Sequence, residues 1–247
     1  MPSSIWARRT IGVEIVGNHQ PRTEMSMIAA ERGMIATFMP KPFADKTGSG
    51  LHLHLSLTSA GNAVFPTQTD DARGLGLSDT AYGFIGGILE HACALQAVIA
   101  PTVNSYKRTG AVATASGASW APRLPTYGGN DRTHYIRVPD SDRIELRGGD
   151  GSANPYLAIA AALGAGIDGI KRSTDPGAVG AGVSTRPLPP TLLHAVEEFE
   201  GDPLITGVLD AAGDGVAAYF AGVKREEFFS YHSAVSPWEI DQYLTAF

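Results

Sequence analysis

The sequence predicts an α+β fold, an antiparallel sheet with its helices packed to one side. Three observations carry this expectation. Stretches at 10–16 (TIGVEIV), 51–57 (LHLHLSL) and 143–147 (RIELR) have strand character, and the last two alternate with period two. A fourth, THYIRV (133–138), is joined to RIELR by PDSD, a turn sequence, as in an antiparallel hairpin. Two long apolar stretches, 79–100 and 154–172, have helical length.

The elements follow in order. After the strand at 10–16, TEMSMIAAERGM (23–34) is expected to be a short helix with Gly33 near its C-terminal end. IATFM (35–39) is strand-like, and PKPFADKTGSG (40–50) is a proline- and glycine-rich loop. LHLHLSL forms a strand, and 58–78 a polar loop or hairpin. The helix at 79–100 is capped at Ser78 or Asp79 and stopped by Pro101. From Pro101 to Asn130 there is no clear periodicity. The hairpin follows, then the helix at 154–172, whose alanines and glycines imply close packing against a neighbour. A linker-like stretch at 173–190 leads into an amphipathic helical C-terminal part.

Composition narrows the function. The 247 residues are 43% hydrophobic, enough for one large domain or two small ones, and 18% charged with 29 glycines, a globular, loop-rich balance. A net charge of −6 recommends neither nucleic acid nor an anionic membrane as partner. Cys93 is the single cysteine, so no internal disulfide can form and a reducing compartment fits. The first residues lack the apolar core of a signal peptide, and Glu90 and His91 interrupt the apolar run at 81–100. That run is expected to be a buried helix, and the protein cytoplasmic.

Chemistry concentrates on two strands. In LHLHLSL, His52, His54 and Ser56 share one face and four leucines the other. The two histidines suit metal ligands or phosphate partners, but for an HxH pattern by itself a solvent-facing strand is the commoner case. In RIELR, Arg143, Glu145 and Arg147 share a face backed by Ile144 and Leu146. This is either an exposed salt-bridge ladder or part of an anion site. Arg132 and Arg137 on the preceding strand, and Arg108 after NSYK, favour the anion site, because clustered guanidiniums repel unless an anion sits among them. A glutamate amid arginines should have a lowered pKa, making it a poor general base and a good ligand for a divalent cation. GDGSANPYL (149–157) is a strand-to-helix connection with Asn154 or Ser152 as cap and Pro155 in the first turn. KTGSG (46–50) lacks the spacing of a phosphate-binding P-loop and leads into a strand.

Four segments together resemble one family. ATFMPKPFADKTGSGLHLHLSL (36–57), PTVNSYKR (101–108), NDRTHYIRVP (130–139) and RIELRGGDGSANPYLAIAAALGAGIDGI (143–170) are similar, in order and spacing, to the catalytic domain of the glutamine synthetase family. SGASWAP and YGGNDRTH resemble its type III-like and γ-glutamylmethylamide synthetase branch. The resemblance implies a curved antiparallel sheet of guanidino-kinase-like architecture over 1–247. It implies an ATP-dependent ligase of nitrogen metabolism and glutamine biosynthesis. It further implies ATP, glutamate and ammonia or a small primary amine as substrates, reacting through γ-glutamyl phosphate with Mg2+ or Mn2+ as cofactor, in a homo-oligomer.

Residue by residue, His52 and Glu145 match metal ligands. His54, Ser56, Arg137, Arg143 and Glu14 match ATP contacts. Arg108, Arg132, Arg147 and Gly48 match the surroundings of glutamate, with Arg132 and Arg108 in catalytic positions.

The sequence also departs from the family. The N-terminal β-grasp domain and two metal-site glutamates that follow it have no match. A segment with two further metal-site glutamates is missing near residues 20–21, and Glu24 and Glu31 do not replace them. Thr47 stands where asparagine is usual, and 109–130 holds no acidic residue. The chain alone is therefore expected to be incomplete. The alternative is a non-catalytic nucleotide-binding relic or accessory protein that co-assembles with a full-length relative. A guanidino-kinase-like phosphotransferase is disfavoured by NPYL and PKPF.

Overall fold

The computed structural model describes residues 11–15, 19–110, 121–182 and 186–246, and for 11–15 and 19–23 only the backbone. The side chain of Glu14 and residues 116–120 of SGASWAP thus lie outside the described parts. Strands β1 (Ile11–Ile15), β2 (Leu53–Ser59), β3 (Asn62–Ala63), β4 (Tyr127–Gly128), β5 (Ile136–Asp140) and β6 (Arg143–Leu146) form one sheet in the order β1-β2-β6-β5-β4, with β3 against the end of β2. All pairs are antiparallel except β4 with β5, which is parallel and corrects the expectation of a purely antiparallel sheet. Two residues are too few to show a strand period in the sequence.

Register creates two faces. Leu53, Leu146, Ile136 and Tyr127 are paired in one row across β2, β6, β5 and β4, all buried. With Leu55 and Ile144 they join the main core, together with the buried faces of the helices. The neighbouring row is Glu14, His54, Glu145, Arg137 and Gly128. Side chains paired across strands share a face, so the polar residues from three strands converge opposite the core.

The helices are α1 (His19–Ala30), α2 (Asp79–Glu90), α3 (Ala92–Ile99), α4 (Val103–Thr109), α5 (Pro155–Arg172), α6 (Leu192–Glu200), α7 (Pro203–Asp210), α8 (Val216–His232) and α9 (Pro237–Tyr243). Ser78 caps α2 by accepting from the Ala81 N–H. Asn154 caps α5 by accepting from Tyr156 N–H, with Pro155 in the first turn. The α2–α5 contact is as close as the composition implies. A Cβ on Gly87 or Gly169 would overlap the carbonyl of Ala165 or Gly83.

Four elements differ from expectation. The apolar stretch at 79–100 is two helices, bent by 74° at His91. His91 closes α2, opens α3, and bonds Asp168 on α5 and Asp202 at the cap of α7, so the polar pair EH marks a corner. No single described helix is long and apolar enough to cross a membrane. IATFM (35–39) is not a strand: Ile35 is 93% exposed, and the segment has no partner strand among the described residues. The first helix begins at His19, upstream of the expected start. Finally, α4 falls where no periodicity was visible.

Candidate active site

The sheet half of the site centres on Glu145, which is 3% exposed despite its charge. Its Oε2 accepts from Arg137 Nη1 at 2.5 Å. Its Oε1 accepts from Arg147 Nη1 at 2.9 Å and lies 2.6 Å from His52 Nδ1. His52 reaches it diagonally, two residues before the directly paired His54. Burial alone would raise the Glu145 pKa. The Arg137 hydrogen bond and the charges of Arg147 and Arg137 outweigh that and lower it. Burial, and then the Arg147 charge, push His52 down to about 4 against the pull of Glu145. Near neutral pH an ionised Glu145 can only accept, so a neutral His52 donates from Nδ1 and keeps its Nε2 lone pair. Asn130 steadies Arg137 by accepting from Nε at 2.9 Å and from Nη2.

The second half is a shelf built on α4. Arg108, 5% exposed, donates from Nη2 to the carbonyls of Gly148 at 2.7 Å and Gly149 at 2.9 Å, just past β6. Gly48 packs on it so tightly that a Cβ there would lie 2.6 Å from Arg108 Cγ and 2.7 Å from Pro40 O. A Cβ on Gly50 would lie 3.3 Å from Arg108 Nη1 and 3.5 Å from His52 Nε2. The two halves therefore meet at Gly50. Burial lowers the Arg108 pKa, the charge of Asp150 opposes this and that of Arg147 adds to it.

The structure brings together His52, Glu145, Arg137, Arg147, Arg108 and Gly48. Arg132 is exposed on the loop before β5, within electrostatic reach of Arg147. His54 and Ser56 are half-buried on the same strand face as His52, and His54 Nδ1 has no partner among the described residues. Glu14 is in register with His54 by its backbone. Arg143 departs from the expected cluster. It pairs with Asp140 at 2.9 Å at the exposed end of the hairpin, where the β5 register shifts.

Three contributing residues carried no signal in the sequence. Asn130 holds Arg137, and Asn104 on α4 bonds the loop that bears Gly48. Asp150 is fully buried, binds Ser152 through Oδ1, and leaves Oδ2 without a partner among the described residues.

With this geometry in place, the comparisons with known proteins are decisive. The model of the glutamine synthetase catalytic domain matches residues 19–243. The chain belongs to the glutamine synthetase family. It is 42% identical over 226 residues to the glutamine synthetase of Rhizobium leguminosarum bv. phaseoli, covering 88% of this chain and 51% of that protein. It is 41% identical over 234 residues to the glutamate–methylamine ligase of Methyloversatilis universalis, covering 89% and 51%. A solved GmaS/ADP complex superposes with a TM-score of 0.80 at 47% identity, over 90% of this chain and 52% of that one. This family member thus spans about half the length of the curated relatives it matches.

The residues present fit part of a cation site. His52 offers the Nε2 lone pair. A carboxylate has about four lone-pair sites, and Glu145 uses three, leaving one on Oε2. Among the described residues no group of three or more His, Cys, Asp and Glu could hold a metal ion.

Proposed function

We propose that this chain binds ATP and glutamate in an ATP-dependent ligase that joins glutamate to ammonia or a small primary amine. In that reaction a γ-carboxylate oxygen of glutamate attacks the terminal phosphorus of ATP and ADP leaves. The amine nitrogen then attacks the acyl carbon of γ-glutamyl phosphate, phosphate leaves, and the nitrogen loses a proton. The observation that carries the reading is the buried cluster of Glu145, Arg137, Arg147 and His52 adjoining Arg108 and Gly48.

Each residue has work suited to its place. Arg147 and Arg108, both rigidly held, present guanidinium groups to the carboxylates of glutamate, with Gly48 leaving room beside Arg108. Arg132, on the exposed loop, reaches the transferring phosphoryl group, where positive charge stabilises the transition state. His54, Ser56 and Glu14 lie along the nucleotide, and Arg137 and Arg143 face its phosphates, Arg143 by leaving Asp140. His52 and Glu145 would hold Mg2+ or Mn2+, which when bound neutralises phosphate charge. The exposed Tyr219, Phe229, Trp238 and Leu244 on and after α8 and α9 support assembly with further copies. The lone free Cys93 supports a cytoplasmic setting.

A second reading, a nucleotide-binding accessory protein without turnover, is favoured by the two-ligand cation site. One set of assays separates the two. Phosphate and γ-glutamyl amide formed together, and only with ATP, Mg2+, glutamate and amine all present, establish the ligase. ATP binding without glutamate binding or phosphate release establishes the accessory role. Binding of neither overturns both.

A further inference from the structure

One residue of α4 links the two parts of the shelf. Asn104 Oδ1 accepts from the backbone N–H of Lys41 at 2.7 Å, and its Nδ2 donates to the Lys41 carbonyl at 3.0 Å. One amide side chain thus pairs with both polar groups of one backbone unit, as a neighbouring strand would. Lys41 is only 7% exposed, and its Nζ donates to the Lys46 carbonyl, folding the loop over itself. The Ser49 N–H closes the loop onto Pro40 O at 2.8 Å. Pro40 O is the atom that, with Arg108 Cγ, leaves no space for a side chain at Gly48.

Asn104 and Arg108 are four residues apart on α4, so they lie on one helix face. The helix beneath them is fixed independently of the loop. Thr102 and Ser105 form a reciprocal cap, Glu227 Oε1 on α8 accepts from the Val103 N–H at 3.1 Å, and Tyr106 is buried with its hydroxyl toward Gln96 O. The loop at 40–50 has no strand or helix of its own. Its position therefore depends on side-chain anchors, and the Asn104 amide supplies two bonds to one residue.

We infer that Asn104 is a positioning residue: it fixes the loop at 40–50 to α4 so that Gly48 sits against Arg108 and gives the substrate pocket its shape. This deepens the reading above, since glutamate is the ligand that Gly48 and Arg108 would receive. Among the described residues the hydrogen bonds of the Asn104 side chain go to the Lys41 backbone, so it acts through Lys41 and Pro40.

The test uses Asn104→Ala and Asn104→Asp in the full chain, read by amide hydrogen exchange, thermal melting, and calorimetry with L-glutamate and with ATP plus Mg2+. Asn104→Ala should lose exchange protection at Lys41 and Ser49 while 103–109 stays protected. It should weaken glutamate binding about tenfold or more, the scale of lost hydrogen bonds, with ATP affinity changed less than about twofold. Asn104→Asp keeps the acceptor for Lys41 N–H but sets an oxygen against the Lys41 carbonyl. It should fall between wild type and alanine, and it serves if the alanine variant does not fold. Unchanged loop protection overturns the inference, as does unchanged glutamate affinity in a variant whose loop has loosened. An equal loss for glutamate and ATP would mean a general structural role and also overturns it. If the wild-type chain binds no glutamate, the glutamate reading fails, and the exchange data still decide whether Asn104 fixes the loop.

Discussion

The two halves of the site are held in different ways. On the sheet, Glu145 and Arg137 are placed by strand register with His52 just before β2, and the Glu145 charge is balanced by Arg137 and Arg147. On the shelf, Gly48 and Arg108 are placed by a few hydrogen bonds from side chains to distant backbone. Asn104 reaches Lys41 across 63 residues, and Arg108 reaches Gly148 across 40. Register is shared by many backbone bonds, so no exposed side chain on the sheet is indispensable. A shelf hung on a few bonds should yield to small changes. The buried charge cluster is the exception on the sheet, because removing its one anion leaves cations unpaired.

The largest expected effect tests that exception. Glu145→Ala should destabilise the fold by about 3–5 kcal/mol in denaturant unfolding, the cost of stranding buried charge. It should also abolish Mg2+-dependent ATP binding if, as proposed, Glu145 and His52 together hold the cation. Near-normal stability would show that Arg137 and Arg147 find solvent or other partners easily.

On the shelf, Gly48→Ala adds one methyl group where Pro40 O and Arg108 Cγ leave no space. It should cost about 1–3 kcal/mol as overpacking and weaken glutamate binding about tenfold or more, with ATP affinity largely kept. Equal loss of both ligands would erase the distinction between the halves.

His91, which pairs with Asp202 and Asp168 rather than with either half, serves as a control. Burial works against its charged form, but the Asp202 hydrogen bond and charge, with Asp168 and Glu90 behind them, raise its pKa above 6.5. The contribution is therefore full below the unfolded value of 6.5 and lost as pH rises through the folded pKa. Asp202 is opposite in sense. Burial would raise its pKa, but the His91 bond lowers it below 3.8, so its share is lost as pH falls through that lowered value. His91→Gln should thus cost most between about pH 4 and 6.5, by about 1 kcal/mol, and little at pH 9, with ligand affinities unchanged. A pH-independent cost would mean that His91 matters by packing alone.

The smallest effect sharpens the sheet half. Arg143 and Asp140 form an exposed pair. Arg143→Ala should change stability by less than about 0.5 kcal/mol while weakening ATP binding several-fold. Unchanged ATP affinity would remove Arg143 from the site.

The same division explains what could be read in the sequence. LHLHLSL and RIELR expose the sheet half because period two assigns each residue a face, and the structure pairs them directly. Period could not foretell that Arg143 would turn to Asp140, since that depends on a register shift in β5. The shelf was opaque. The seven residues VNSYKRT show no apolar repeat, and the helix is held by its Thr102–Ser105 cap and by Glu227, 124 residues along the chain. IATFM has a strand-like composition without a partner. The bend at His91 depends on carboxylates from α5 and the start of α7. Arg108 could be read as one of the clustered arginines, but its place beside Gly48 came only through family resemblance, and Asn104, Asn130 and Asp150 required the folded structure.

The measurement that bears most directly on the central claim is calorimetric titration of this chain with ATP, with and without Mg2+. The account predicts binding that depends on Mg2+ and disappears in Glu145→Gln while the variant remains folded. ATP binding indifferent to both Mg2+ and Glu145, or no binding at all, would contradict the claim that the His52–Glu145 face forms a nucleotide site.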